Sequence, residues 1–367
     1  MKMFLLSIFL FASSTFAGAQ AFNQIDSLLS ATFNPHEPGI SVGIINGRSV
    51  FTNSYGVRDI ATKQPLTASV NFNIASLTKQ FTAMAVFQLA EKGKLSLEDN
   101  IGKYLPALNK NTGNKITIRE LLTHSSGIID HYDYADTKNL QHAHNIDVFR
   151  AIQNIDSTYF APGTHFRYSN TAFCLLGLII EKASGMGYDD YMEQHIFKPA
   201  GMQHTVVWNE HTSIFSPATG YTFDSATSSF KKSQAEEHIF FSTEGDGGIY
   251  TSVDDYMQWF ITLQRGRVFS KDIVNKARSI EFTIDAAKQL GYGFGWFVDA
   301  GTLPVKVYHS GDNSGFRTFT FSIPSQNFLI VIFANRDDVN IEDIVQKIYQ
   351  LLKPGQKAFT KVEELTS

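Results

Sequence analysis

A serine and, three residues on, a lysine open a strongly helical stretch of this 367-residue chain: Ser76 and Lys79 in NFNIASLTKQFTAMAVFQLAEKGKLSLED, Asn71–Asp99. From Phe81 onward apolar residues recur at three- and four-residue steps until Gly93, which predicts one buried helix beginning near Ser76. On the first turn of such a helix, backbone N–H groups lack acceptors, and Lys79 lies on the same face as Ser76. A serine hydroxyl becomes a useful nucleophile only when a nearby base takes its proton, and a lysine amine can serve. The free N–H groups would also favour negative charge on an attacked carbonyl oxygen. Spacing alone also fits a capping serine followed by an exposed lysine. Ser228/Lys231 and Ser229/Lys232 repeat the spacing in the polar segment DSATSSFKKSQ, where no apolar period supports it; they are chance matches.

Two more polar triplets lie where chemistry could use them. Tyr168-Ser169-Asn170 follows the turn signal Pro162-Gly163 and precedes an apolar helical run, so Ser169 or Asn170 can cap that helix. A phenol held near two amine or ammonium groups can share its proton below its usual pKa of about 10, which gives Tyr168 a second use as base and acid. His309-Ser310-Gly311 ends a predicted strand, with Asp312-Asn313-Ser314-Gly315 as the turn after it. Such a triplet is either an ordinary hairpin turn or an edge along which an extended substrate lies, with the N–H after Gly311 as an oxyanion donor.

Positioning these groups falls to elements at both ends of the chain. Phe22–Phe33 reads as an amphipathic helix, and Gly39–Ile45 and Val50–Val57 flank Asn46-Gly47, a hairpin signal. Helices are expected at Thr117–Leu122, Asp147–Asn154, Asn170–Ser184, Asp189–Phe197 and Asp254–Leu263. The period then changes: Tyr292–Val298, Val305–Tyr308, Arg317–Ile323 and Phe328–Phe333 read as strands, followed by a helix over Ile341–Leu352. The pattern predicts an α+β fold: an antiparallel sheet built from both chain ends and flanked by helices, with a large, mainly helical lobe inserted. The sheet lobe would occupy about 20–75 and 290–355, the helical lobe about 80–285, and residues 356–367 a loose tail.

Met1–Ala19 has Lys2, an apolar run from Met3 to Ala12 and the small residues Ala17-Gly18-Ala19, the pattern of a secretory signal peptide cleaved before Gln20. Its apolar run is short for a membrane span, an uncleaved anchor being the alternative. Export to the periplasm or the exterior is expected, with no stable membrane span after cleavage. Without it, about 350 residues are enough for two packed lobes around a large core. A single cysteine, Cys174, excludes an intrachain disulfide and sits in an apolar helical run as an inert buried thiol. A net charge of −4, with 31 basic and 35 acidic residues interspersed, points away from nucleic acid and toward a small-molecule or peptide partner. Oligomeric state is not legible. His131, His142 and His144 fall among aspartates in Asp130–Asp147, but their irregular spacing reads as a solvated loop rather than a zinc site. His124 reads as a helix-end or core residue, and Gly245–Gly248 as a tight turn near the site.

Taken in order, Ser76-Leu77-Thr78-Lys79, Tyr168-Ser169-Asn170 and His309-Ser310-Gly311 resemble the three motifs of the serine β-lactamase and penicillin-binding superfamily. The tyrosine form of the second motif is similar to the branch of class C β-lactamases, D-alanyl-D-alanine carboxypeptidases, D-aminopeptidases and related esterases. LLTHSSGI at Leu121–Ile128, GDGGIYTSVDDYMQW at Gly245–Trp259 and YGFGW at Tyr292–Trp296 extend the resemblance over about Pro38–Asn335. It implies that Ser76 is acylated, that Lys79 and Tyr168 move protons, and that Asn170 contacts Lys79 and substrate. It also implies that the N–H groups of Ser76 and Asp312 form the oxyanion hole, with no cofactor or metal. The expected activity is an exported serine hydrolase cleaving an amide or ester of a small or D-amino-acid-containing peptide. The alternatives are a class C-type β-lactamase, an acyltransferase, or a cell-wall-peptide or β-lactam binder that does not turn over. His309 stands where β-lactamases usually carry lysine, which points away from β-lactams. A histidine of ordinary pKa, about 6.5, would there be neutral at pH 7 and regain affinity for carboxylates below about pH 6.

Overall fold

The computed structural model describes residues 20–135, 140–233 and 239–362. The expected leader, Met1–Ala19, therefore lies outside the described residues. Eight strands make one antiparallel sheet: β1 Ile40–Asn46, β2 Ser49–Tyr55, β3 Phe282–Asp285, β4 Leu290–Tyr292, β5 Phe297–Asp299, β6 Lys306–Asn313, β7 Phe316–Ile323 and β8 Phe328–Ala334. Their spatial order is β3-β4-β5-β6-β7-β8-β1-β2, so the two ends of the chain meet where β1 pairs with β8, Ile40 opposite Ala334.

The run FLIVIFA of β8 is buried at all seven positions. Phe328, Ile330 and Ile332 join a core with Ile25 and Leu29 of α1 (residues 20–32) and Val345 and Ile348 of α5 (Ile341–Leu352). Leu329, Val331 and Phe333 join the other core, with Phe81 of α2 (Thr78–Glu91), Leu176 of α3 (Asn170–Ser184) and Trp259 of α4 (Val253–Arg265). Each such side chain contributes about 1.5–3 kcal/mol on leaving water, and the strand is apolar throughout because it is covered on both faces.

Between β2 and β3 the chain is mainly helical. Besides α2–α4 it forms Ile118–Leu122, opened by a Thr117/Glu120 capping box, Asn145–Ile152, and Tyr188–Met192 running into a π turn at Glu193–Phe197. The sheet takes in residues earlier than about 290, from Phe282.

Three expectations are corrected. Tyr292–Val298 is not one strand: β4 ends at Tyr292, and Gly293–Trp296 turns the chain into β5. Gly295, at φ +91°, presses that turn onto α2, where an added Cβ would meet the Gln80 Cα at 2.8 Å. The strand expected over Val305–Tyr308 runs on to Asn313, so His309–Asp312 lie within β6 and the turn shrinks to Ser314-Gly315. The expected loose tail is docked as far as Val362: Phe359 stacks on Tyr308 and Phe319, with ring centroids 4.7 and 5.0 Å apart, and Tyr308 Oη donates to the Thr360 carbonyl at 2.8 Å. Stacking a large aromatic onto the sheet offsets the entropy of ordering these residues.

Candidate active site

Ser76 does not open α2 directly; it sits in the 3-10 turn Ala75–Leu77 that leads into it. Ala75 is left-handed, φ +47°, a conformation that costs a non-glycine residue about 1–2 kcal/mol. Two contacts hold it. Its N–H donates to Asn73 Oδ1 at 2.8 Å, and Thr318 Oγ1 of β7 donates to the carbonyl of Ile74 at 2.9 Å. β6 lies against this turn at Gly311, where an added Cβ would stand 2.2 Å from Thr318 Oγ1 and 2.5 Å from the Ile74 oxygen. The third motif needs its glycine for that approach.

Lys79, the second residue of α2, is fully buried. Its Nζ donates to Ser76 Oγ at 3.0 Å, to Asn170 Oδ1 at 2.9 Å and to the Asp246 carbonyl at 3.0 Å. Three acceptors fix the nitrogen against the hydroxyl. Asn170 is set by the start of α3, which Ser169 caps by accepting from the Ala172 N–H at 3.1 Å, and its Nδ2 donates to Tyr132 Oη at 3.0 Å. Asp246 escaped the sequence reading because its backbone oxygen, not its carboxylate, reaches Lys79; the only signal was the glycine-rich turn that carries it.

Tyr168 lies beside these groups, its ring centroid 4.9 Å from Lys79 Nζ. The expected pair of amines around it is a single amine, because His309 fills the other place. The phenol oxygen is buried and has no hydrogen-bond partner among the described residues. His124 packs its ring 4.2 Å from that of Tyr168 and accepts the Ser169 N–H at Nδ1, 3.0 Å away, so it braces the second motif from the core. Burial, with Lys79 nearby, holds its pKa well below the ordinary histidine value.

His309 is buried rather than facing a substrate carboxylate. Its Nδ1–H donates to the Ser310 carbonyl at 2.7 Å, and Nε2 accepts from Tyr292 Oη at 3.1 Å, a neutral tautomer with both nitrogens used. Burial and the charge of Lys79 push its pKa down to about 3. The expected recovery of charge below pH 6 is therefore corrected. Tyr292, invisible as a partner in the sequence, is placed by the β4–β5 turn.

Beyond Tyr308, β6 has lost its neighbour β5, whose pairing stops at Phe297 opposite Tyr308. Counting back from the two-residue turn, Asn313 and Phe316 are the hydrogen-bonded pair, so the Asp312–Arg317 pair is not, and the N–H of Asp312 points to the open edge. The Asp312 carboxylate is paired with the Arg317 guanidinium. A cleft of about 560 Å³ runs along this edge, lined by Ser76, Tyr168 and His309–Asp312, and walled by Phe166, Phe297, Phe319 and the docked Phe359, Lys361 and Val362.

Among the described residues, no group of three or more His, Cys, Asp or Glu side chains is placed to hold a metal. Residues 136–139 of Asp130–Asp147 lie outside the described residues, and His131 and His144 of that segment are held by hydrogen bonds. His131 Nδ1 hydrogen-bonds Thr171 Oγ1 at 2.9 Å, and His144 is held between Glu244 and Glu210 at 2.6 and 3.0 Å. Those carboxylates raise the pKa of His144 to about 9. Cys174 is buried, its thiol 3.3 Å from Asp246 Oδ1.

The chain is similar to known proteins over most of its length. The family model described as Beta-lactamase matches residues 22–353. Penicillin-binding protein 4* of Bacillus subtilis (strain 168) is 32% identical over 325 residues, 84% of this chain and 71% of that protein. Protein flp of Staphylococcus aureus (strain MW2) is 30% identical over 331 residues, 89% of this chain; the chain spans only 65% of flp. Among solved structures, the octameric penicillin-binding protein homologue from Pyrococcus abyssi superposes with a TM-score of 0.78 at 26% identity, over 90% of this chain and 77% of that one. D-amino acid amidase from Ochrobactrum anthropi shares the fold, TM-score 0.75 at 20% identity, over 92% of this chain and 100% of its own. Matched over nearly its whole length, the chain belongs to the Beta-lactamase family, on the branch it shares with penicillin-binding proteins.

Proposed function

We propose that this chain is an exported serine hydrolase that cleaves an amide or ester bond of a small or D-amino-acid-containing peptide through an acyl-enzyme on Ser76. The observation that carries this reading is the 3.0 Å contact between Lys79 Nζ and Ser76 Oγ at the foot of an open strand edge. For the reaction Lys79 first gives up to solvent one of the three protons it donates, and the free amine then takes the Ser76 proton while Oγ attacks the substrate carbonyl. The N–H groups of Ser76 and Asp312 receive the oxyanion. The leaving amine or alcohol departs with a proton passed through Tyr168, whose phenol has no other partner among the described residues, and water then releases the acyl group.

The cleft supports this substrate class. Six phenylalanine and tyrosine rings line it, His309 is neutral, Arg317 is already paired with Asp312, and Lys361 with Glu342. These features favour an apolar side chain beside the scissile carbonyl over an obligatory carboxylate, and so peptides and esters over penicillins and cephalosporins. Export rests on Lys2, the apolar run Met3–Ala12 and Ala17-Gly18-Ala19. The test is intact-mass analysis after a fluorophosphonate probe: one added group is expected on the wild type and none on Ser76→Ala. Labelling that persists in Ser76→Ala overturns the assignment; labelling by penicillin without release would favour the non-turnover binder instead.

A further inference from the structure

A second cavity, of about 1020 Å³, shares no lining residue with the Ser76 cleft. It opens between α4, the short helix Lys271–Ala277 and the outer strands of the sheet. One wall is aliphatic: Leu263, Val274, Val298, Val305 and Val307. At its base is Arg278, only 7% exposed. The guanidinium lies 5.4 Å from the ring centroid of Trp296 and 5.8 Å from that of Phe260. One nitrogen donates to Gln264 Oε1 at 3.3 Å, and Gln264 is itself held by donating to the Pro324 carbonyl at 2.7 Å. The Nε is buried without a partner, and among the described residues no carboxylate forms an ion pair with this arginine.

A buried guanidinium without a counter-charge is costly, and Arg278 lines a space as large as small-molecule sites usually are, about 300–1,000 Å³. Burial pulls its pKa down to about 10, which leaves it charged at neutral pH. Charge and shape together select the occupant. A compact inorganic anion would satisfy the arginine and leave the aliphatic wall wet; an uncharged hydrocarbon would do the reverse. Leu303, 85% exposed at the rim, continues the apolar surface outward.

We propose that this cavity binds a free fatty-acid-like anion, its carboxylate on Arg278 and its alkyl chain along the wall formed by Leu263, Val274, Val298, Val305 and Val307. Arginine suits the task because its planar fork grips a carboxylate with two parallel hydrogen bonds. The site is separate from the acylation chemistry and does not depend on it.

The test is isothermal titration of the full protein with monomeric dodecanoate, with dodecanol as the uncharged control. One dodecanoate per chain is expected, binding at least about tenfold more tightly than the alcohol, the difference a charge-assisted hydrogen-bonded pair supplies. Arg278→Gln should remove that difference while leaving alcohol binding in place. Val305→Trp, which narrows the cavity from its partly buried wall, should weaken both ligands; fluorophosphonate labelling of Ser76 in each variant checks that the fold is intact. Equal affinity for acid and alcohol in the wild type, or unchanged dodecanoate binding in correctly folded variants, overturns the proposal. So does binding to anionic-lipid vesicles without binding to dodecanoate.

Discussion

Lowering the pH from 8 to 6 should leave this protein's discrimination between a substrate bearing a carboxylate beside the scissile bond and the same substrate amidated nearly unchanged. The reasoning turns on His309. With its pKa near 3, placing a proton on the imidazole at pH 6 costs about 4 kcal/mol, at roughly 1.4 kcal/mol per pH unit. The charge so created would attract a carboxylate about 4 Å away by on the order of 4 kcal/mol at an effective dielectric of 20. The two nearly cancel, so a carboxylate substrate gains no net advantage at pH 6 by recruiting the proton. A surface histidine of ordinary pKa would behave otherwise, being more than half charged at that pH. The assay is kcat/KM for the matched pair at half-unit steps of pH, compared as a ratio so that titration of the catalytic groups, common to both substrates, divides out. A ratio that climbs about tenfold toward the carboxylate substrate between pH 7 and 5.5 would show that His309 becomes cationic in the complex. The burial and the Tyr292 bond would then not control it.

Gly311→Ala should abolish fluorophosphonate labelling of Ser76 while circular dichroism stays near that of the wild type, because the new methyl meets the Ile74 carbonyl and the Thr318 hydroxyl beside the nucleophile turn; labelling at the wild-type rate contradicts the close approach described. Stability should fall on acidification: His124, His131 and His309 are held neutral, with folded pKa values below the unfolded 6.5, so the unfolded chain takes up protons that the folded one refuses. His131 and His309, at about 4 and 3, each contribute a loss of about 1.4 kcal/mol per pH unit from 6.5 down toward 4, or about 4 kcal/mol for the two by pH 5, with His124 adding to it in the same direction, read as the urea midpoint. A midpoint that does not move between pH 7 and 5 refutes this. His144 has the opposite sign: its stabilisation is complete below 6.5 and is lost as the pH rises through about 9. For export, the first residue of the mature protein should be Gln20 by N-terminal sequencing, and a chain that keeps Met1 after fractionation to the cytosol would count against it.

What could be read from the sequence was local in sequence. Ser76 with Lys79, and Ser169 as the cap before Asn170, are fixed by helical geometry, and β1–β2 by an Asn-Gly turn; the apolar run of β8 announced a strand. What escaped depends on groups far apart in the chain. The Asp246 oxygen that holds Lys79 belongs to the backbone and has no side-chain signature. Tyr292 was absorbed into a strand because Tyr292–Val298 is rich in aromatic residues. Only the backbone of α2 packed against Gly295 forces the chain to turn there. The charge state of His309 could not be read at all, since residue type gives an ordinary pKa and burial removes it. Phe359 was assigned to a loose tail because nothing near it in sequence reveals that Tyr308 and Phe319 present a surface for it.

The junction of β1 with β8 also constrains how the protein comes into being. A hairpin of Ile40–Tyr55 can form early, but its inner strand finds its second partner only when Phe328–Ala334 has been made, after the whole helical insert and strands β3–β7. Such distant pairing is slow, because the closure entropy of a very long loop is met before any contact rewards it. Until then FLIVIFA, with no charge and no proline, is a seven-residue strand former with both faces uncovered. Expression at high rate should therefore favour inclusion bodies seeded by this segment. Slow synthesis, low temperature or a holdase that covers residues 328–334 should raise the soluble yield more than any change made to the cleft.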